Sequence, residues 1–414
     1  MRKIACIIVF LCTFGGLFAQ THTHVYKEQI RTLRVAREVL MLDDPAPLHI
    51  SFDEMSHDVH MYTYTVRMLA PEDGQITFNG ELLSSEYLQG FTTQDITDYE
   101  HSINTSREYT HYWFEFPNED MRLTKSGLYL LTIYEDGNPD DRVADVMFCV
   151  VEPKVKIDAK VRANTDIEFN GRYQQVDVDV TMSEEQRGVY TEEWRVVVTQ
   201  NNRLDNAVTL TRPTFVEPNR LRYINTKDLI FEGGNEYLHF DAFSCFYAGY
   251  GIDRVVHEMG DYHAVLLADE KRTDQYIHQF DSDGRYVVNA ERTGDVDTEA
   301  EYMWVHWTLP MEQPWFDGAL YVGGDLFGNE LGMPNRMQYD AEKKAYWLTA
   351  LVKQGGYDYQ YWFVPKESKT KTTTERVDGS YWQTENEYAI YVWWRPFGAR
   401  YDRLVGVQIL KSTL

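Results

Sequence analysis

The stretch that decides the fold is "YAIYVWWR", from Tyr388 to Arg395. Side chains alternate between the two faces of a β-strand, so every second residue shares a face. One face is apolar throughout and is expected to lie in a core: Tyr388, Ile390, Val392 and Trp394. The other face mixes rings with an arginine and is expected to be half-exposed: Ala389, Tyr391, Trp393 and Arg395. We interpret the stretch as a strand that closes the last β-sandwich of the chain.

The same alternation recurs along the whole chain. It is clear in "HMYTYTVRM" (60–68), "EYMWVHWTL" (301–309) and "YDYQYWFV" (357–364). Valine, tyrosine, tryptophan and threonine fill these runs, and glycine, asparagine, aspartate and proline separate them, as is typical of strands and turns. Helical periodicity is scarce. The sequence therefore predicts an all-β protein of tandem antiparallel β-sandwiches, of the immunoglobulin-like or early-set-like kind.

The first nineteen residues have the order of a secretory signal peptide. Arg2 and Lys3 precede an apolar run that ends at Leu17, and Ala19 offers a cleavage site. The run is shorter than the ~20 residues that a membrane-spanning helix needs. We predict cleavage after Ala19, no lipid anchor and a soluble mature protein beyond the inner membrane.

Breaks in the strand rhythm suggest three units in the mature chain. The chain has 414 residues, 43% of them hydrophobic, which is enough for two or three domains with cores. Pro153 follows a strand-like run, and an acidic, turn-rich stretch occupies residues 278–302. These breaks predict β-sandwich domains over residues 20–153, 154–290 and 291–414.

Charge and cysteine content limit the partners and the chemistry. The formal net charge is -25, and such a surface repels phosphates, so nucleic acid is not an expected partner. Two cysteines remain after removal of the signal peptide, Cys149 and Cys245, each within an apolar run. They could pair in an oxidising compartment or remain as buried thiols, and the sequence leaves both readings open.

Motifs for catalysis or metal binding fail on their spacing. His257 and His263 stand six residues apart without helical pattern, whereas a zinc protease needs two histidines one helical turn apart. Asp281 and Asp283 in "DSDG" could chelate calcium, but the loop lacks a glutamate at its twelfth position and suits a turn better. We therefore predict no catalytic residue, no cofactor and no metal site, and a protein that is not an enzyme.

A long string in the first unit resembles a known family. "EYLQGFTTQDITDYEHSINTSREYTHYWFEFPNEDMRLTKSGLYLLTIYED" (86–136) is similar to the Bacteroidetes family associated with the plug protein of the type IX secretion system. "FEGGNEYLHFD" (231–241) and "TENEYAIYVWWRPFGARYDRLVGV" (384–407) agree with the same family. The matching positions of the first string are Tyr99, Ser102, Asn104, Thr105, Tyr109, Phe116, Pro117, Asn118, Ser126, Gly127 and Tyr129.

The resemblance implies a non-enzymatic stopper in the periplasm, associated with the outer membrane. Its partner would be the giant outer-membrane β-barrel translocon of the type IX system, whose periplasmic mouth it would close when cargo is absent. Insertion into the membrane itself is not expected. Trp393, on the half-exposed face of its strand, and Arg400 are the candidate residues for contact with the partner.

Two other functions are weighed against the plug. "FGNELGMPNRMQYDAEKKAYWLTALVKQGGYDYQYWFV" (327–364) is similar to starch-binding sandwiches, so a secreted or periplasmic carbohydrate-binding protein is the alternative. The tryptophan expected soon after Asn329 is missing from that string. A passenger of the secretion system is the other option, but "GVQILKSTL" (406–414) lacks the motif that precedes such a C-terminal signal.

Overall fold

The computed structural model describes residues 23–43, 46–72, 75–186, 190–291, 293–368 and 371–412. The predicted signal peptide, residues 1–19, lies outside these residues. The prediction of an all-β fold built from antiparallel sandwiches is confirmed. Within the described ranges no helix is long and apolar enough to cross a membrane.

The first sandwich is formed by thirteen strands and one helical turn. They are β1 (His24–Val25), β2 (Ile30–Val35), β3 (Val39–Met41), β4 (Leu48–Glu54), β5 (Tyr62–Glu72), β6 (Gln75–Phe78), α1 (Ser84–Tyr87), β7 (Leu88–Gly90), β8 (Thr93–Ile96), β9 (Asp98–His101), β10 (Thr110–Phe116), β11 (Met121–Leu123), β12 (Gly127–Glu135) and β13 (Arg142–Val151). One sheet has the order β1-β13-β12-β5-β6, with β3 beside β13 and β8 beside β5, and it faces the sheet β2-β4-β10-β9.

The core of the first sandwich follows the alternation of the sequence. Tyr62, Tyr64, Val66 and Met68 project from one face of β5 and are each at most 2% exposed. They pack against the facing sheet, where the ring of Phe52 stacks on its own sheet neighbour Tyr112 and meets Tyr62 edge-on. Arg67, on the other face of β5, is exposed, as the alternation predicts.

The next seven strands build most of a second sandwich. They are β14 (Val155–Arg162), β15 (Tyr173–Met182), β16 (Trp194–Gln200), β17 (Val208–Leu210), β18 (Phe215–Glu217), β19 (Arg220–Tyr223) and β20 (Ile230–Glu232). Single 3-10 turns occupy Glu184–Gln186, Thr191–Glu193 and Lys227–Leu229. One sheet has the order β14-β15-β19-β18, with β20 beside β15. The facing sheet contains β16 and β17, and it is completed by two strands that come much later in the chain.

A third sandwich follows, and the chain then returns to the second. The third contains β21 (Leu238–Asp241), β22 (Ile252–Glu258), β23 (Asp261–Leu266), β24 (Tyr286–Val288), α2 (Val296–Glu299), β25 (Tyr302–Pro310), β26 (Gly318–Gly323), 3-10 turns Asp325–Phe327 and Met333–Asn335, β27 (Gln338–Asp340), β28 (Ala345–Lys353) and β29 (Gly355–Pro365). Its sheets are β21-β29-β24, with β26 beside β29, and β22-β23-β25-β28-β27. The last strands are β30 (Glu387–Trp394) and β31 (Arg403–Lys411).

The return of β30 and β31 corrects one expectation. Tyr388–Arg395 was expected to close the last sandwich, but β30 pairs with β16 and so belongs to the sheet β17-β16-β30-β31 of the second, or middle, sandwich. Alternation identifies a strand and its faces, yet it carries no information about which distant strand pairs with it. The division into units at residues 153 and 290 stays a prediction.

The apolar face of β30 lies where the alternation places it. Tyr388, Ile390 and Val392 are fully buried and Trp394 is 8% exposed, all within the core of the middle sandwich. Trp394 stands opposite Trp194 in the ladder, and their rings stack with centroids 5.8 Å apart. The two indoles hold β16 and β30 together from opposite parts of the chain.

We predict that Trp394→Ala lowers the free energy of unfolding by about 3 to 5 kcal/mol, because it leaves a cavity against Trp194. Chemical denaturation of the mature protein measures the change. The control is Phe397→Ala, since Phe397 is 97% exposed and its truncation should alter stability by no more than about 0.5 kcal/mol. Equal unfolding midpoints for Trp394→Ala and the unmodified protein would contradict the prediction.

Candidate functional site

Trp393 lies inside the molecule rather than on its surface. The ring is 5% exposed and packs with Leu69, Leu128 and Leu404 in an apolar cluster between the first and middle sandwiches. On this face of β30, Ala389, Tyr391 and Arg395 are half-buried as expected. The expectation that Trp393 is half-exposed is wrong, because the first sandwich covers it and leaves almost none of its ring accessible. We call this cluster the apolar joint.

Arg400 lies at the surface, where two sandwiches meet. Its side chain is about half exposed, pairs with the carboxylate of Glu86, and donates to the carbonyl oxygen of Glu81 over 3.0 Å. Arg395, in the same loop, donates to the side chain of Glu81 over 3.2 Å. The loop 395–401 of the middle sandwich therefore clamps the segment 79–86 of the first, and we call it the clamp loop.

The clamp loop carries the most exposed aromatic ring in this region. Phe397 is 97% exposed, and it shares a shallow depression of about 370 Å³ with Tyr190, which is 74% exposed. Leu83, 71% exposed, lies in the segment that Arg400 contacts. Large apolar side chains that face water together mark sites of protein contact. These three side chains and Arg400 form the platform, which is the candidate contact surface.

The first and third sandwiches meet through buried charges. Asp53 of β4 and Lys353 of β28 are at most 1% exposed, and the ammonium of Lys353 donates to the Asp53 carboxylate over 2.7 Å. The Tyr302 hydroxyl also donates to Asp53 over 2.7 Å, and His111 lies 2.6 Å from its other oxygen. Lys353 further donates to the Asp297 carbonyl oxygen over 2.7 Å. We call this contact the polar joint.

The charges of the polar joint shift each other's protonation. Burial alone would raise the pKa of Asp53, but the Lys353 ammonium and His111 hold that pKa below its usual value. Burial lowers the pKa of Lys353, against the pull of Asp53. Removing either partner would leave a buried charge with fewer contacts, which costs about 3 to 5 kcal/mol in comparable buried pairs.

The polar joint also holds a strained residue. Thr32 has a φ of 51°, a left-handed conformation that β-branched residues rarely adopt, at a bulge in β2. Its hydroxyl lies 2.5 Å from the Tyr302 hydroxyl of the third sandwich. Nearby, Arg34 pairs with Asp297. Such a backbone conformation costs about 1 to 3 kcal/mol, so the contact with the third sandwich helps to hold it.

Part of the string that resembles the plug family lies at the polar joint. The backbone N–H of Ile103 donates to the Thr298 carbonyl oxygen over 2.9 Å, and that of Ser106 donates to Glu301 over 2.5 Å. The buried Tyr109 hydroxyl donates to the Ala300 carbonyl oxygen over 2.9 Å. The partners stand almost 200 residues apart in sequence, so no local pattern could have paired them.

The middle and third sandwiches are joined by ion pairs and by a cation–ring contact. Arg285, just before β24, pairs with Glu387 of β30, and Lys411 of β31 pairs with Asp283 over 2.9 Å. The guanidinium of Arg203 lies 4.5 Å from the ring centre of the buried Trp362. Together with the other two joints, these contacts lock each sandwich to both of the others.

The predicted chemical residues occupy structural positions. Cys149 and Cys245 are free thiols, and burial raises the pKa of each to about 12, which disfavours the reactive thiolate. Asp281 accepts the backbone N–H groups of Asp283 and Tyr237, as in a turn. His263 lies beside His306, at 3.0 Å between ring nitrogens. Among the described residues, no group of three histidine, cysteine or carboxylate side chains is placed to hold a metal ion.

The tryptophans of the third sandwich bear on the sugar-binding alternative. Trp307 and Trp362 are fully buried in or beside the core. Trp347 is 39% exposed. In the turn after Phe327, Asn329 bonds to the Asp325 carboxylate. The alternative stays a prediction, and its natural test site is Trp347.

Buried carboxyl groups in the third sandwich have raised pKa values. Burial raises the pKa of Asp281 and of Asp325 to about 7, and that of Asp269 to about 6. A folded-state pKa above the ordinary value means that the folded protein binds the proton more tightly than the unfolded chain. The stability from these groups is therefore complete below the ordinary pKa of about 4, falls as the pH rises from there, and is lost once the pH has passed about 6 to 7.

We predict that the free energy of unfolding falls between about pH 4.5 and pH 7, and that Asp325→Asn makes this fall less steep, because the amide cannot lose a proton. Denaturant unfolding at a series of pH values measures the slope. Asp274→Asn, at an exposed carboxylate, is the matched control and should keep the original slope. An identical slope for Asp325→Asn and the unmodified protein would show that Asp325 does not titrate in this range.

Fold and surface together define an all-β protein of three interlocked sandwiches. Residues 22–152 match the family model described as the first domain of type 9 secretion system plug proteins. This range contains the first sandwich, with its share of the apolar and polar joints. Residues 22–152 thus belong to this plug domain family.

A solved structure extends the likeness to almost the whole chain. A hypothetical protein from Parabacteroides merdae ATCC 43184, whose crystal structure was determined at 2.30 Å resolution, is 36% identical and superposes with a TM-score of 0.90. The match covers 94% of this chain and 99% of that one. A search of curated proteins finds no match. The arrangement of all three sandwiches is thus shared with that protein.

Proposed function

We propose that this protein is a non-enzymatic periplasmic plug, which closes the periplasmic mouth of the outer-membrane type IX translocon when cargo is absent. The observation that carries the proposal is the match of residues 22–152 to the first domain of the plug family. The likeness over the remaining sandwiches supports a role for the whole body rather than for one domain.

The interlocked architecture suits a stopper. A barrel of about 36 strands, the largest size known, encloses a water-filled lumen that would leak solutes. A string of loosely linked domains would cover such an opening poorly, because each domain would move independently. Here the apolar joint, the polar joint and the ion pairs Arg285–Glu387 and Lys411–Asp283 join three sandwiches into one body.

Charge and surface chemistry suit a plug that must also dissociate from the barrel. The formal net charge of -25 favours solubility, and a polar rim is typical of interfaces between proteins that also exist apart. A non-obligate contact of this kind lets cargo shift the equilibrium by a few kcal/mol.

We propose the platform as part of the contact with the barrel. Phe397, Tyr190 and Leu83 supply apolar area that water disfavours, and Arg400 supplies a half-exposed guanidinium. Exposed aromatic rings and arginines are over-represented among the residues that dominate binding energy. The platform also spans two sandwiches, so a partner bound there would engage the body as a whole.

Reconstitution of the purified barrel in liposomes tests the plug function directly. The liposomes are loaded with a fluorescent dextran small enough to leave through an open barrel, and the barrels whose periplasmic mouth faces outward report on added protein. We expect the mature protein to slow the leak in a saturable manner. An unchanged leak, with the protein demonstrably folded and in excess, would reject the proposal.

For the platform, we predict that Phe397→Ala weakens binding to the barrel at least tenfold, as truncation of a hot-spot aromatic does. Titration of the leak, or surface-immobilised barrel, measures the affinity. The matched control is Phe316→Ala, which truncates a ring 76% exposed on the third sandwich. If both variants bind like the unmodified protein while the leak still closes, the plug function stands and the platform is not its contact surface.

A further inference from the structure

We propose that the polar joint is a releasable latch: the third sandwich swings away from the first, while the first and middle sandwiches stay together. The inference concerns the motion of the body and does not depend on the plug function. It rests on the different chemistry of the two joints that hold the first sandwich.

The polar joint buries charges together with the rings of Tyr109 and Tyr302, which meet edge-on with centroids 5.3 Å apart. The charged part of this contact is the part that water compensates when the joint opens. Asp53 and Lys353 lose their hydration when the joint is closed, and their mutual contact only partly repays that loss. When the joint opens, both charges regain water, and so does the Tyr302 hydroxyl that donates to Asp53. The net free energy held in such a contact is therefore smaller than its number of hydrogen bonds suggests.

The strained backbone of Thr32 also favours opening. Thr32 keeps a φ of 51° while its hydroxyl lies against Tyr302 of the third sandwich. It sits in the bulge of β2, an edge strand of its sheet, so β2 can relax without disturbing the strands behind it. The free-energy cost of this backbone conformation thus offsets part of the favourable interaction energy of the closed joint.

The apolar joint has the opposite character. Opening it would expose Trp393, Leu69, Leu128 and Leu404, each at most 6% exposed, and water does not compensate such surface. The linker that leaves the first sandwich is also bonded to the middle one at this joint, through the N–H groups of Glu152 and Lys154 and the carbonyl oxygens of Leu404 and Val405. The apolar joint therefore opens later than the polar joint.

The hinge for this motion lies between the middle and third sandwiches. The chain crosses between them twice, from β20 to β21 and from β29 to β30. The contacts there include the ion pairs Arg285–Glu387 and Lys411–Asp283, in which each cation is about half exposed and can exchange its partner for water as the angle changes. The third sandwich stays attached at this side while it leaves the first.

Hydrogen exchange of the full mature chain tests the order of opening, resolved to single amides by fragmentation in a mass spectrometer. Two amides report on the polar joint, those of Ile103 and Ser106, which donate to Thr298 and Glu301. Two others report on the apolar joint, those of Glu152 and Lys154. After correction for intrinsic rates, we expect the first pair to exchange at least tenfold faster than the second.

Variants separate a latch from general instability. Lys353→Met should speed exchange at Ile103 and Ser106 at least tenfold further and leave Glu152 and Lys154 unchanged. Arg34→Ala, which removes the more exposed pair with Asp297, is the milder variant and should speed the same two amides about threefold. The matched control, Arg400→Ala, breaks an arginine–carboxylate pair across the other joint and should leave both polar-joint amides unchanged.

Two results would overturn the latch. One is a single protection factor shared by all four amides in the unmodified protein, which means that the joints open together. The other is unaltered exchange at Ile103 and Ser106 in both Lys353→Met and Arg34→Ala, which means that these contacts do not control the opening.

Discussion

The ladder between β16 and β30 is the interaction on which the rest of the structure depends. Through it, the hairpin β30–β31 supplies one face, with Trp394 and its neighbours, to the core of the middle sandwich. The other face of the same hairpin supplies Trp393 and Leu404 to the apolar joint. One pair of strands thus completes a core and fixes the position of the first sandwich. In sequence, the third sandwich lies between strands β14–β20 and strands β30–β31, which together form the middle sandwich.

The joints illustrate how differently apolar and ionic contacts hold domains together. Burial of Trp393 contributes free energy roughly in proportion to the area removed from water. The Asp53–Lys353 pair contributes less net free energy, because both ions lose hydration, but it tolerates only one geometry. The first joint provides strength, and the second fixes the angle of the third sandwich.

The sequence predicted local structure well and long-range structure poorly. The alternation in residues 60–68 and 388–395 placed the correct side chains in cores, because strand periodicity is set by the backbone. It could not show that β30 pairs with β16, nor that the first sandwich covers Trp393 on the outer face of β30. Trp393 was therefore expected at the surface. No sequence pattern indicated the polar joint, because Asp53 and Lys353 are 300 residues apart and neither stands in a recognisable motif.

The late return of the hairpin has a consequence for biogenesis. Strands β16 and β30 are separated by roughly 190 residues, so the middle sandwich has an unsatisfied edge and an open core until the whole third sandwich has been delivered. Contacts of such long range make folding slow, and they leave strand edges free to aggregate in the meantime. The topology therefore places the closing of the middle core at the very end of folding, after the third sandwich.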